Sequence, residues 1–341
     1  MTSVPRADYR HLLSLSGPLG TFEHAKFAQP RREHGYCTDD VARVLLVAVR
    51  EPDASDSLRE LARTSMNFLR SAQARDGTFR NRRGANGVFI GSSSNRDWWG
   101  RAQWALGTAA ARASDDTVRR DAMAHFTKGC QVVSPWPRAN AFAVLGAAEV
   151  LRTSADHEGA RLLITRALEV LDRPVLSAEW SWPEPRLTYA NAALAEALLA
   201  SGEVLETPLL VEQGLEQLEW LLARWSAAGH LSVVAAGGDQ GAAHVVAYDQ
   251  QPIEVAALGE ACARAHTLTG DQRWRRGLEL ATSWFCGDND GGVVMFDDAT
   301  GGGYDGLTQS GVNLNQGAES TLALLATLQH AHVRAVVPVR A

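Results

Sequence analysis

Six polar segments along this 341-residue chain each run straight into an alanine- and leucine-rich apolar stretch. They lie near residues 38, 99, 138, 189, 252 and 316, a recurrence of roughly 40–65 residues that marks a repeat architecture. The apolar stretch after each polar start is apolar on all sides, and a second stretch with a single apolar stripe follows it. Ser57 to Gln73 shows that stripe, with Leu58, Leu61, Ala62, Ser65, Phe68, Leu69 and Ala72 on one helical face. Helices apolar all round are buried, and helices with one apolar stripe lie outside. Six inner and six outer helices in alternation make an all-α (α/α)6 toroid. Its inner helices begin at one end, around a central pit.

The expected inner helices start at about Thr38, Gly100, Ala139, Tyr189, Pro252 and Gln316. Their outer partners are Ser57–Gln73, Asp116–Val133, Glu158–Leu171, Pro208–Trp225 and Gln272–Phe285. Residues 1–32 are weakly patterned, with one short helical candidate at Tyr9–Leu15. Short strands are expected in loops, at Leu231–Ala235 and Val245–Tyr248. The pattern never pauses for a linker, so residues 1–341 read as a single domain. An open α-solenoid is the alternative, but solenoids share a repeat length and have interchangeable loops. Here the loops differ strongly and the polar, Trp-rich chemistry gathers at one class of junction.

Hydrophobic residues make up 45% of the chain and the net charge is -6. A nucleic-acid or anionic-membrane partner requires a basic face, which this balance argues against. No apolar run reaches the 18 or more residues of a transmembrane helix. Met1–Asp8 has no apolar secretory core. Cys37, Cys130, Cys262 and Cys286 lack CxxC spacing, which argues for reduced thiols, a cytoplasmic location and no structural metal.

If the inner-helix starts converge, the pit holds Asp39, Asp40, Asp97 and Glu254 as candidate catalytic carboxyl groups. Candidate substrate contacts are His34, Tyr36, Arg43, Trp98, Trp99, Arg101, Trp136, Arg138, Asn140, Trp182, Glu184, Tyr189, Asn191, Gln251, Asn315, Gln316 and Glu319. Carboxylates, amides and guanidiniums bind hydroxyls, and indoles stack on the apolar faces of pyranose rings. The set therefore suits a carbohydrate. No phosphate-cradling glycine motif and no GxSxG elbow is present, and no cofactor is implied. Glycoside hydrolysis needs two carboxyl groups flanking one bond. Adjacent Asp39 and Asp40 are the first candidates, although helix capping and the helix dipole account for one of them.

His34-Gly35-Tyr36-Cys37-Thr38-Asp39-Asp40-Val41-Ala42-Arg43, Gly100-Arg101-Ala102-Gln103-Trp104-Ala105-Leu106-Gly107 and Asn315-Gln316-Gly317-Ala318-Glu319-Ser320-Thr321 resemble a group of bacterial six-hairpin glycosidase-like proteins. Members are often fused or adjacent to glycosyltransferases. The resemblance implies the (α/α)6 fold, carbohydrate chemistry and a functional association with a glycosyltransferase, but no defined substrate. A usual Asp-Ser-His before the Gly-Arg motif is here Asp97-Trp98-Trp99. The paired Asp39-Asp40 also looks like the Asp-Asp of family-76 α-1,6-mannanases, over a short stretch. Phe68-Leu69-Arg70-Ser71-Ala72-Gln73 with Asp76-Gly77-Thr78-Phe79 resembles the QW repeats of terpene cyclases. With no DDxxD or DxDD motif, that likeness is one of turn chemistry.

Three functions follow. The first is a glycoside hydrolase acting on a bacterial oligo- or polysaccharide. The second is a sugar isomerase or epimerase, for which His34 and His244 are the one plausible acid–base pair. The third is a non-catalytic glycan-binding partner of a glycosyltransferase.

Overall fold

The computed structural model describes residues 4–174, 177, 179–241 and 243–332. Among the described residues the helices are α1 (Arg10–Ser14), α2 (Thr38–Arg50), α3 (Asp56–Ala72), α4 (Asp97–Arg112), α5 (Asp116–Gly129) and α6 (Pro137–Thr153). They continue with α7 (Glu158–Leu171), α8 (Ala192–Val204), α9 (Pro208–Trp225), α10 (Pro252–Thr269), α11 (Gln272–Phe285) and α12 (Ala318–His332). Helices α2, α4, α6, α8, α10 and α12 pack each against the next, and α12 closes on α2. The (α/α)6 toroid expected from the repeat is therefore the fold. The outer ring is α3, α5, α7, α9 and α11. Among the described residues its sixth place, next to α12, holds only the single turn of α1.

Burial follows the sequence pattern. Every residue of α6 from Arg138 to Leu151 is buried, whereas α3 buries one stripe. Small residues let the inner helices approach at backbone distance. A β-carbon on Gly107 would sit 2.2 Å from the carbonyl oxygen of Gly146, and one on Gly146 would sit 2.2 Å from that of Gln103. Glycine is required there by lack of space.

Connections from an inner helix to the following outer helix are short, as at 51–55, 113–115 and 205–207. Those from an outer helix to the next inner one are long, as at 73–96, 226–251 and 286–317. All long loops therefore gather at the inner-helix N-termini. They carry short antiparallel ladders, the largest joining Tyr36–Cys37, Arg82–Arg83 and Phe89–Ile90. Single bridges Leu187↔Asp239 and Gln250↔Leu307 tie neighbouring loops together. The strands expected at Leu231–Ala235 and Val245–Tyr248 do not form. Leu231, Val233 and Val234 are instead core residues of an irregular loop, Ala235 makes one bridge to Gln250, and Val245 is exposed.

Apart from α9, which has no side-chain cap, the two rings begin their helices differently. Outer helices α3, α5, α7 and α11 are capped by the side chains of Ser55, Asp115, His157 and Asp271. Inner helices α2, α4, α6, α8 and α10 have no side-chain cap. The first-turn acids of α2 and α4 are thus free of capping duty and face other partners.

Candidate active site

Arg43, in the second turn of α2, organises the floor of the pit. Its Nη1 donates to Glu319 at 2.8 Å and to Asp40 at 3.2 Å, and its Nη2 to Asp39 at 3.4 Å. Three carboxyl groups, two from α2 and one from α12, thus converge on one guanidinium. Arg101 of α4 lies 3.6 Å from Asp39 through Nε, and its guanidinium covers the Phe142 ring at 3.6 Å. The Nε and Nη2 of Arg101 are buried with no hydrogen-bond partner among the described residues.

Asp40 and Arg101 are driven away from their ordinary titration ranges by burial. Burial pushes the Asp40 carboxyl up to about 7, with Glu319 and Asp39 adding to the rise and Arg43 opposing it. Burial, then the neighbouring Arg43, brings Arg101 down to about 10. Asp97, at the start of α4, is raised by burial and by Asp39, and it accepts a hydrogen bond from the Tyr189 hydroxyl. The second wall begins at Tyr189. Arg138 pairs with Glu184 and donates to the Tyr189 carbonyl at 3.0 Å and to Asn191 Oδ1 at 2.9 Å.

On the axis a cavity of about 30 Å³ is lined by Arg43, Arg101 and Glu319 together with Trp104, Phe142 and Ala323, room enough for a water molecule.

The structure brings together Asp39, Asp40, Asp97, Arg43, Arg101, Arg138, Glu184, Tyr189, Asn191 and Glu319. Glu254 joins the same network through Asn191. Its carboxyl is buried against the start of α8, where it accepts from the backbone N–H of Ala190, from that of Asn191 at 3.2 Å and from Asn191 Nδ2 at 2.8 Å. Both oxygens are engaged, and burial pushes this carboxyl up to about 7 despite three donors.

Several expected sugar contacts are packing groups. Trp182 is fully buried and stacks on Trp220 at 6.0 Å, and Trp99 is buried in the core. Trp98 donates its indole N–H to Phe79, at 2.8 Å. Tyr36 stacks on Phe22 at 4.7 Å, on the side of the N-terminal hairpins. Asn140 donates to the carbonyls of Ser134 and Trp136. Gln316 bonds Thr300 and Asp297, and Asn315 accepts from the Phe27 N–H. Gln251 is the half-buried residue before α10. Trp136 stays 47% exposed at the start of α6, with Arg96 over its ring at 5.5 Å.

His34 meets His24, Nδ1 to Nδ1 at 3.0 Å, while His244 bonds Ser232 Oγ at 3.0 Å. His34 and His244, the expected acid–base pair, thus each bond another group, and no hydrogen bond joins them among the described residues. Sequence reasoning missed His24, and it missed Asp305, which accepts from Gly317 N–H and Ser320 Oγ at the start of α12. Neither residue lies in a polar helix start, which was the signal used. Among the described residues one group has metal-ligand composition: Glu23, Cys37 and Asp40, with donor atoms within 4.8 Å of one another. Its members already have partners, since Glu23 pairs with Arg82, Cys37 with Asn81 and Asp40 with Arg43.

No protein-family model and no curated protein sequence matches the chain. Solved structures do match its shape. A sugar epimerase from a ruminal bacterium aligns with a TM-score of 0.71 at 11% identity, covering 96% of this chain and 95% of that one. Cellobiose 2-epimerase from Spirochaeta thermophila gives 0.66 at 13% identity, covering 94% and 92%. A family-76 α-mannanase from Bacteroides thetaiotaomicron gives 0.64 at 9% identity, covering 94% and 93%. The class these comparisons define is the (α/α)6 toroid, a fold represented among them by both epimerases and glycosidases. Among the described residues no helix is long and apolar enough to cross a membrane.

Proposed function

We propose that the chain is a carbohydrate-active enzyme that hydrolyses a glycosidic bond of a bacterial oligo- or polysaccharide in the pit. The observation that carries this reading is the convergence of Asp39 and Asp40 on Arg43, with Asp40 buried and raised to about 7. A carboxyl group that keeps its proton near neutrality is suited to protonate a leaving glycosidic oxygen. In this reading Asp40 gives its proton to that oxygen as the C1–O bond breaks. Asp39, the more accessible of the two, acts at C1 as nucleophile or as base for the incoming water. Sharing one guanidinium keeps the two groups close enough for the separations of about 5–9.5 Å that glycosidases use. Arg43 and Arg101 orient Asp39, and Tyr189 holds Asp97. Glu254 is a positioning residue that fixes the start of α8.

The test is a panel of α- and β-linked manno-, gluco- and galacto-oligosaccharides, with released reducing ends as readout. Asp40→Asn and Asp39→Asn are each expected to lower turnover by at least about 100-fold. Full activity in both variants would overturn the assignment.

Sugar epimerisation or isomerisation is the second reading, favoured by the epimerases among the structural neighbours. It needs an acid–base pair, and His24–His34 is the histidine pair at this end of the toroid. A product of unchanged size with inverted configuration, lost in His34→Asn, would establish this reading in place of hydrolysis.

A further inference from the structure

Phe27 is 56% exposed and has a φ of 50°, in the left-handed region. It begins the two-residue turn between the paired segments Ala25–Lys26 and Gln29–Pro30. Such turns favour Asn or Gly, because a β-carbon crowds the left-handed backbone. A bulky aromatic there is a strained choice, and it survives only where the surroundings enforce it. Here they do. The N–H of Phe27 donates to Asn315 Oδ1 at 2.9 Å, and its carbonyl accepts from the N–H of Gln316 at 3.0 Å. The same hairpin is held a second time, where the Glu23 carbonyl accepts from the Ala318 N–H at 3.0 Å.

The clamp has no return in packing, since it fixes the backbone and the ring stays more than half exposed. What it fixes is position. Asn315 and Gln316 lead directly into α12, whose Glu319 reaches Arg43 in the pit. The clamp thus places Phe27 against the segment that leads into α12, where Leu314 is also exposed, at 49%. An exposed apolar ring in that place matches the apolar face of a pyranose. The tryptophans expected to supply such a face, Trp99 and Trp182, are buried.

We infer that Phe27 is the stacking platform of an outer subsite, which binds the sugar unit next to the one held in the pit. This rests on the carbohydrate reading above. It makes the ligand an oligosaccharide of at least two units, with one end in the pit.

The experiment compares Kd by calorimetry, and KM where turnover is seen, for manno-, gluco- and galacto-oligosaccharides of one to four units. Phe27→Asn removes the ring but keeps a residue that tolerates the left-handed backbone, and Phe27→Trp keeps a ring. Phe27→Asn is expected to weaken binding of the longer glycans by about tenfold and leave single sugars and kcat unchanged, with Phe27→Trp restoring affinity. Equal affinity of Phe27→Asn and the native chain for every length overturns the subsite. So does an equal loss for single sugars, which would make Phe27 a support for the pit. A native chain that binds no glycan of any length overturns the carbohydrate reading itself, and the subsite with it.

Discussion

Glu254 and Asn191 meet at 2.8 Å, side chain to side chain, where α10 crosses the start of α8. Two backbone N–H groups, of Ala190 and Asn191, complete the bonds to the same carboxyl. Ala190 has a φ of 45°, so this corner of the pit wall is strained as well as buried. Glu254→Ala strands three buried donors and is expected to cost about 3–5 kcal/mol, read from urea unfolding followed by tryptophan fluorescence. Glu254→Gln keeps an acceptor oxygen and is expected to cost about 1 kcal/mol. A Gln variant of native stability with turnover lowered by orders of magnitude would return Glu254 to the chemistry.

Stability should fall as pH rises through neutrality, and Asp40 is a principal cause. Its carboxyl is pushed to about 7 by burial, against about 3.9 in an unfolded chain. Between those values the folded state holds a proton that the unfolded state has released. The resulting stabilisation is complete below about pH 4 and is lost as pH rises through about 7. Glu254, also raised to about 7, acts in the same direction. Asp40→Asn is expected to remove part of the decline between pH 5 and pH 8, by up to a few kcal/mol. Urea midpoints at pH 5, 6, 7 and 8 measure it. An unchanged slope in the variant would show that Asp40 does not hold its proton.

The ring of helices was legible because burial and periodicity are local in sequence. Arg138 to Leu151 is apolar enough to be wholly buried, and α3 writes its single stripe plainly. Part of the site was legible for the same reason, since Asp39, Asp40, Asp97, Arg101, Arg138 and Glu319 all sit at or just inside inner-helix starts. Their partners were not. Capping was a sound local expectation for one of Asp39 and Asp40, yet Asp39 turns to Arg43 and Arg101, Asp40 to Arg43, and Asp97 to Tyr189. Arg43 stands one turn further along α2, whereas only tertiary structure supplies Arg101 and that hydroxyl. Trp182 shows the other limit, for an indole in a loop is written identically whether it faces a ligand or Trp220. Phe27 left no mark at all, because no Asn or Gly flags its left-handed turn.

The α4–α6 contact sets the geometry of one wall and is open to a direct test. Gly146 lies against the backbone of α4, where an added β-carbon would meet the Gln103 carbonyl oxygen at 2.2 Å. No side-chain rotation relieves a clash with backbone, so Gly146→Ala must push the helices apart. Both helices carry pit residues, Arg101 on α4 and Arg138 on α6. The expected cost is about 2–4 kcal/mol, exceeding the gain in helix propensity of about 1 kcal/mol. Thermal unfolding checks the stability, and turnover on any substrate found should fall with it. A variant as stable as the native chain would mean that the two helices separate freely.

At the far end of the toroid Arg50 of α2 pairs with Glu260 of α10, and His330 of α12 joins them, with Glu260 3.5 Å away. Glu149 and Glu196, from α6 and α8, share Arg264 of α10 in the same layer. Cations near the C-termini of α2, α10 and α12 also suit the helix dipoles. Although burial opposes ionisation, Arg50 and His330 bring the Glu260 carboxyl down to about 2. Its contribution to stability is therefore complete above the ordinary glutamate range and lost as pH falls toward 2. Glu260→Gln leaves Arg50 buried without its counter-charge and is expected to cost about 3–5 kcal/mol. The double variant Arg50→Met, Glu260→Leu removes both charges and should recover most of that loss, because a buried pair costs nearly as much to desolvate as it returns. Urea unfolding of both variants decides the matter. A double variant no more stable than Glu260→Gln would show that the ionic layer closes the base of the ring by its charges, and that apolar packing cannot replace it.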